Sequence, residues 1–150
     1  PQNDTAGYGT EIQKTLDDVA DKILSDSLVF LNPKKTTMAL FRVLMQIYED
    51  LGLNYTNDIS IRFIFHSAFM IERVIRREPL SYKNTNSIIS TSRDVYTAID
   101  RNMELINDLF GISIPSSEIA RLSEIFVDLI NGCEMEETDM ERDCQQQTTV

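Results

Sequence analysis

Cysteine and histidine are scarce in this chain: 150 residues hold two cysteines and one histidine. Both cysteines, Cys133 and Cys144, lie near the C-terminus. They cannot form a disulfide framework for a core and read as free thiols. A lone histidine without a neighbouring cysteine cannot supply a nitrogen and sulfur metal site, so no metal and no cofactor is expected. Positive charge is also short, with 14 basic against 24 acidic residues and a formal net charge of −10. That balance opposes nonspecific binding to nucleic acid or to an anionic membrane. No apolar run approaches the ~18 to 20 residues needed to span a bilayer, and the polar start Pro1-Gln2-Asn3-Asp4 has neither the basic nor the apolar region of a signal peptide. A cytoplasmic location is the expectation. The start without methionine suggests a fragment of a longer protein or a trimmed chain, and processing would produce the same start. Gly-rich phosphate loops, nucleophile elbows, internal repeats and strand-like alternation are all missing.

What is present is helical spacing over most of a chain that is 42% apolar, the make-up of a single domain with one core. The first helix is expected over about Thr10 to Leu31, with Ile12, Leu16, Val19, Ile23 and Leu24 at spacings of three and four. Asn32-Pro33 breaks and restarts the chain, since asparagine caps a helix and proline suits its first turn. The second helix then runs to Leu51, before Gly52. A third spans about Asp58 to Arg77 and stops ahead of Pro79, whose ring disfavours helix at the preceding residue. The fourth is expected from Ile88 to Phe110, closed by Gly111. The fifth follows Ile114-Pro115-Ser116 and runs to Asn131, with Ser116 as cap, Glu118 near its positive end and Gly132 closing it. The pattern predicts an all-α, five-helix antiparallel bundle over residues 10–131, a flexible flank over 1–9, and a solvated acidic and polar tail over 132–150.

The third helix carries the histidine, His66. Projected at about 100° per residue, Ile64, Ala68, Ile71 and Ile75 form a core stripe opposite His66, while Arg62, Arg73 and Arg77 lie within roughly 40° of it. Along the axis Arg62 is about 6 Å from His66, Arg73 about 10 Å and Arg77 about 16 Å. Neighbouring cations would keep the imidazole neutral and nucleophilic, and would stabilise it once phosphorylated, because a phosphoryl group brings negative charge and acceptor oxygens suited to guanidinium forks. Spacing alone leaves other readings open: an ordinary surface histidine among solvated arginines, or acid/base work with a carboxylate that sequence cannot place.

Three runs taken together sharpen this: Phe30-Leu31-Asn32-Pro33-Lys34-Lys35, then Ile61-Arg62-Phe63-Ile64-Phe65-His66-Ser67-Ala68-Phe69-Met70-Ile71-Glu72-Arg73-Val74-Ile75, then Ile114-Pro115-Ser116-Ser117-Glu118-Ile119-Ala120. Over about residues 10 to 131 the chain resembles the PTS regulation domain (PRD). It is most similar to the C-terminal PRD of LevR/ManR-type bacterial transcriptional activators, which work with the alternative sigma factor 54. The resemblance implies a five-helix bundle that forms a homodimer, is not an enzyme, and is phosphorylated on histidine by phosphorylated PTS proteins, a sugar-specific enzyme IIB or HPr. His66 matches the family's first phosphoacceptor and Arg73 its following arginine, a support for the histidine or its phosphate. Arg62 joins them from the helical projection alone. The family's second acceptor stands seven residues after the glutamate of the Ile-Pro turn. Here that position is Ile125, which cannot accept phosphate. The competing expectation is a structural oligomerisation or interaction domain whose histidine no longer regulates anything.

Overall fold

The computed structural model describes residues 9–24, 28 and 31–136. The flank over 1–8, the tail beyond Glu136 and Cys144 lie outside the described residues, as does the side chain of Cys133. Every regular element among those described is helical. Helix α1, Gly9–Asp18, passes into a wider π-helical stretch, Val19–Leu24. Leu16, Val19, Ala20 and Leu24 of this pair are buried. The first helix is therefore shorter than expected. Leu28 and Leu31 are not helical, and the Leu31 amide is taken instead by the carboxylate of Glu72, 3.1 Å away.

Helix α2, Pro33–Leu51, has the bounds its caps dictate. Asn32 Oδ1 accepts from the Lys35 amide at 3.0 Å, and Gly52 takes the left-handed conformation at φ 67° that ends the helix. A loop of a few residues leads to α3, Asn57–Ile75, capped by Thr56, whose hydroxyl accepts from the Ile59 amide. The short loop folds α3 back against α2 as a helical hairpin. Helix α3 ends two residues before the expected Arg77, in a left-handed turn at Arg77 (φ 63°). There Arg77 N donates to Val74 O and Glu78 N to Arg73 O, the paired bonds of a Schellman motif.

The expected fourth helix is instead three: α4, Thr85–Thr91, α5, Arg93–Asn102, and α6, Glu104–Phe110. The described chain thus has more helices than the five foreseen. Serine and threonine loosen α4 by bonding back to the backbone: Ser90 Oγ donates to Asn86 O and Thr91 Oγ1 to Ser87 O. Ser92, at φ −128° and ψ 48°, separates α4 from α5. The apolar register survives the break at Met103, since Ile99, Met103 and Ile106 are all buried. Gly111 closes α6 at φ 65°.

Helix α7, Ser116–Glu136, passes through Gly132 rather than stopping there. A helix interior tolerates one glycine at a cost of about 1 kcal/mol, and Glu134, Met135 and Glu136 beyond it are good helix formers. Helix α7 packs on α3, α4 and α5, and α2 packs on α3 and α5. The core between them holds Phe41, Leu44, Ile47, Phe63, Ile64, Ile71, Ile99 and Phe126. Phe63 and Phe126 meet edge to face, centroids 5.9 Å apart, and fix α3 against α7. The molecule is an all-α bundle, and the α3–α7 seam positions the site.

Candidate functional site

Ile64, Ala68 and Ile71 are buried, as the projection predicts, and Phe63, Ser67, Met70 and Glu72 are buried beside them. His66 is exposed. It lies at the wall of a cleft of about 300 Å³ between α3 and α7, whose other polar side chains are Arg73, Glu118 and Arg121. Apolar residues complete it, among them Phe65, Phe69, Leu122 and Ile125. Phe65 stands edge-on to the imidazole at 5.7 Å between centroids and to Phe69 at 4.9 Å.

The imidazole is held below its ordinary pKa, first by its partial loss of solvent in this setting, then by the positive charges of Arg121, Arg62 and Arg73. Both effects favour the neutral form of the His66 ring, the form with a nitrogen lone pair able to attack phosphorus.

The three arginines differ in how firmly they are held. Arg73 grips Glu118 with two prongs, Nε to Oε2 at 3.1 Å and Nη2 to Oε1 at 2.8 Å. Glu118 is 1% exposed and also accepts from the Leu80 amide at 2.7 Å, so this carboxylate is fully engaged. Arg62 pairs with Asp58, one turn earlier on its own helix, at 3.3 Å on the surface. Among the described residues, Arg121 makes one ion-pair contact, 3.4 Å, with Glu124.

The structure thus brings His66 and Arg73 into one cleft and leaves Arg62 outside its lining, acting on the imidazole through its charge. Two residues were assigned no such part from sequence. Glu118, expected as a favourable charge at a helix start, is the buried counter-ion of Arg73. Arg121 is a cleft cation. The available signal was periodicity: residues 118, 121, 122 and 125 recur at spacings of three and four, one face of α7. Ile125 lines the same cleft as His66.

An all-α bundle with one histidine in a cleft beside arginines is the kind of regulatory module that the sequence resemblance implies. The family model for the PRD domain matches residues 42–129, and the chain belongs to that family. Over 115 residues it is 26% identical to the transcriptional regulatory protein LevR of Bacillus subtilis (strain 168). The match takes in 77% of this chain but 12% of that relative, so the chain spans a small part of the protein it resembles. No solved structure matches the chain. Among the described residues, no helix is long and apolar enough to cross a membrane.

Proposed function

We propose that this domain is the phosphoacceptor module of a bacterial sugar-operon transcriptional regulator, and that His66 is its acceptor. The observation that carries this reading is an exposed imidazole in a cleft it shares with two guanidinium groups, Arg73 and Arg121. The donor is a phosphorylated protein of the sugar phosphotransferase system, a sugar-specific enzyme IIB or HPr. The imidazole lone pair forms the N–P bond as the carrier's own bond to phosphorus breaks, and that electron pair leaves with the carrier. The ring's second nitrogen keeps its proton or yields it to water.

The product carries nearly two additional negative charges at a partly apolar surface. In a homodimer, that charge favours whichever arrangement of the two copies best solvates or pairs it, and the output of linked domains follows. Acid/base catalysis is disfavoured because Glu118, the carboxylate lining the cleft, is occupied by Arg73 and the Leu80 amide. The module works in the cytoplasm and leaves DNA contact to other parts of its protein.

His66 is the sole histidine, so any acid-labile phosphohistidine reports on it alone. Incubation with a reconstituted, phosphorylated phosphotransferase mixture should load one such group per chain, and His66→Ala should abolish it. An unloaded wild-type domain sinks the proposal. The presence of Ile125 in the cleft favours one rival, a purely structural dimerisation domain. That rival predicts unchanged dimerisation and unchanged sugar response of the full-length regulator carrying His66→Ala.

A further inference from the structure

The cleft holds two guanidinium groups, but only one can turn toward a new anion at small cost. Arg73 is fixed by two bonds to a carboxylate that is 1% exposed. Pulling it away would strand a buried charge, which is strongly unfavourable. Arg121 is paired with Glu124 at 3.4 Å, and the two side chains are 43% and 33% exposed. Pairs of that kind contribute little and break easily. Arg62 is tied to Asp58 and lies outside the cleft lining.

From this asymmetry we infer that Arg121 is the guanidinium that clasps the phosphoryl group on His66, while Arg73 stays on Glu118 as a fixed background charge. The inference deepens the phosphoacceptor reading and rests on His66 taking a phosphoryl group. It assigns that group's holder to α7 rather than to the helix that bears the histidine. Arg121 moves from Glu124 to the phosphoryl oxygens, and its planar fork matches two of them. Leu122 and Ile125, on the same stretch of α7, give the wall beside Arg121 an apolar surface, and the carboxylate of Glu118 on that helix is held by Arg73. The clasp does two things. It draws the phosphoryl oxygens into charge-assisted bonds, and it disfavours protonation of the phosphorylated ring, which is the step that makes imidazole a good leaving group in hydrolysis.

The test loads the domain chemically with potassium phosphoramidate, which needs no carrier protein. An imidazole nitrogen forms the N–P bond, the reagent's P–N bond breaks, and its nitrogen departs as ammonia. Loss of the group is then followed by phosphorus NMR near neutral pH. Water forms a P–O bond, the N–P bond breaks, and inorganic phosphate and free imidazole result. Arg121→Gln should speed this loss roughly tenfold, the scale of one charge-assisted hydrogen bond, and should raise the pH at which the phosphorylated ring titrates. Arg121→Lys should restore part of the lifetime, because it returns the charge without the fork. Glu124→Gln, which frees Arg121, should lengthen the lifetime. Arg62→Gln should leave it within about twofold of wild type.

A wild-type lifetime in Arg121→Gln overturns the inference, as does an equal acceleration in Arg62→Gln. Failure of phosphoramidate to load His66 overturns it too. Failure of the carrier mixture alone, with the Arg121 effect intact after chemical loading, sinks the carrier reading and leaves the role of Arg121 standing.

Discussion

Arg73 and Glu118 stand 45 residues apart in sequence and form a two-pronged ion pair, with contacts of 3.1 and 2.8 Å, that ties α3 to the start of α7. Glu118 is buried and Arg73 is one-quarter exposed, so the two ends of the pair are unequal. The carboxylate also receives the Leu80 amide. One side chain therefore fixes Arg73 and the segment between α3 and α4.

Removing that carboxylate should be costly. Glu118→Ala leaves Arg73 and the Leu80 amide without their acceptor and should lower unfolding stability by about 3 kcal/mol, the lower end for a broken buried pair because water can reach Arg73. Urea denaturation measures it. A loss below about 1 kcal/mol would place the pair among ordinary surface contacts.

The lowered pKa of His66 makes stability depend on pH. The unfolded chain binds a proton near pH 6.5, whereas the folded imidazole, partly withdrawn from solvent and under the charges of Arg121, Arg62 and Arg73, binds it only at lower pH. Between these two values the unfolded state holds more protons. Stability is therefore fully present above pH 6.5 and declines as pH falls toward the folded value. His66→Gln should flatten this part of the stability profile, as read from denaturation midpoints at a series of pH values. An unchanged slope would assign the dependence to other groups.

Arg77 pays a conformational penalty at φ 63°, where glycine would sit without strain. Arg77→Gly should raise stability by about 1 kcal/mol and leave the end of α3 in place. Thermal unfolding tests this, and a destabilised variant would mean that the arginine side chain makes compensating contacts.

The sequence was most legible where a local cap sets the geometry. Asn32-Pro33, Gly52 and Gly111 mark the ends of α2 and α6 because asparagine caps, proline starts and left-handed glycine stops each act within one turn. The breaks at Ser92 and Met103 carry no glycine or proline to mark them, and the apolar register from Ile99 to Ile106 runs straight through the second. Gly132 carried the opposite hazard: a glycine inside a helix and one that ends it look alike in sequence. At the site, His66 stood out by its composition and its motif. The engagement of Arg73 did not, because its partner is 45 residues away and is set by tertiary packing. Arg121 was passed over because projecting α3 alone says nothing about cations on the helix packed against it.

Ile125 offers a gain-of-function test. It lines the cleft at the position where the family resemblance puts a second acceptor. Ile125→His should allow a second acid-labile phosphoryl group per chain in the phosphotransferase mixture, detected by intact-protein mass spectrometry. A stoichiometry that stays at one would mean that a donor reaching His66 does not reach this wall of α7.

The three-part helix between Thr85 and Phe110 has a consequence for how the molecule breathes. Helix α4 buries no residue completely, whereas α2 and α3 bury nine each. Local opening of α4 forfeits little apolar contact, so its amides should exchange with solvent deuterium well before those of α2 and α3. Because α4 rests on α7, the helix that carries Arg121, the slow rigid core and the quick outer turn meet along the same support. An antibody or protease that seizes α4 would thus report on transient opening of the bundle while the core remained folded.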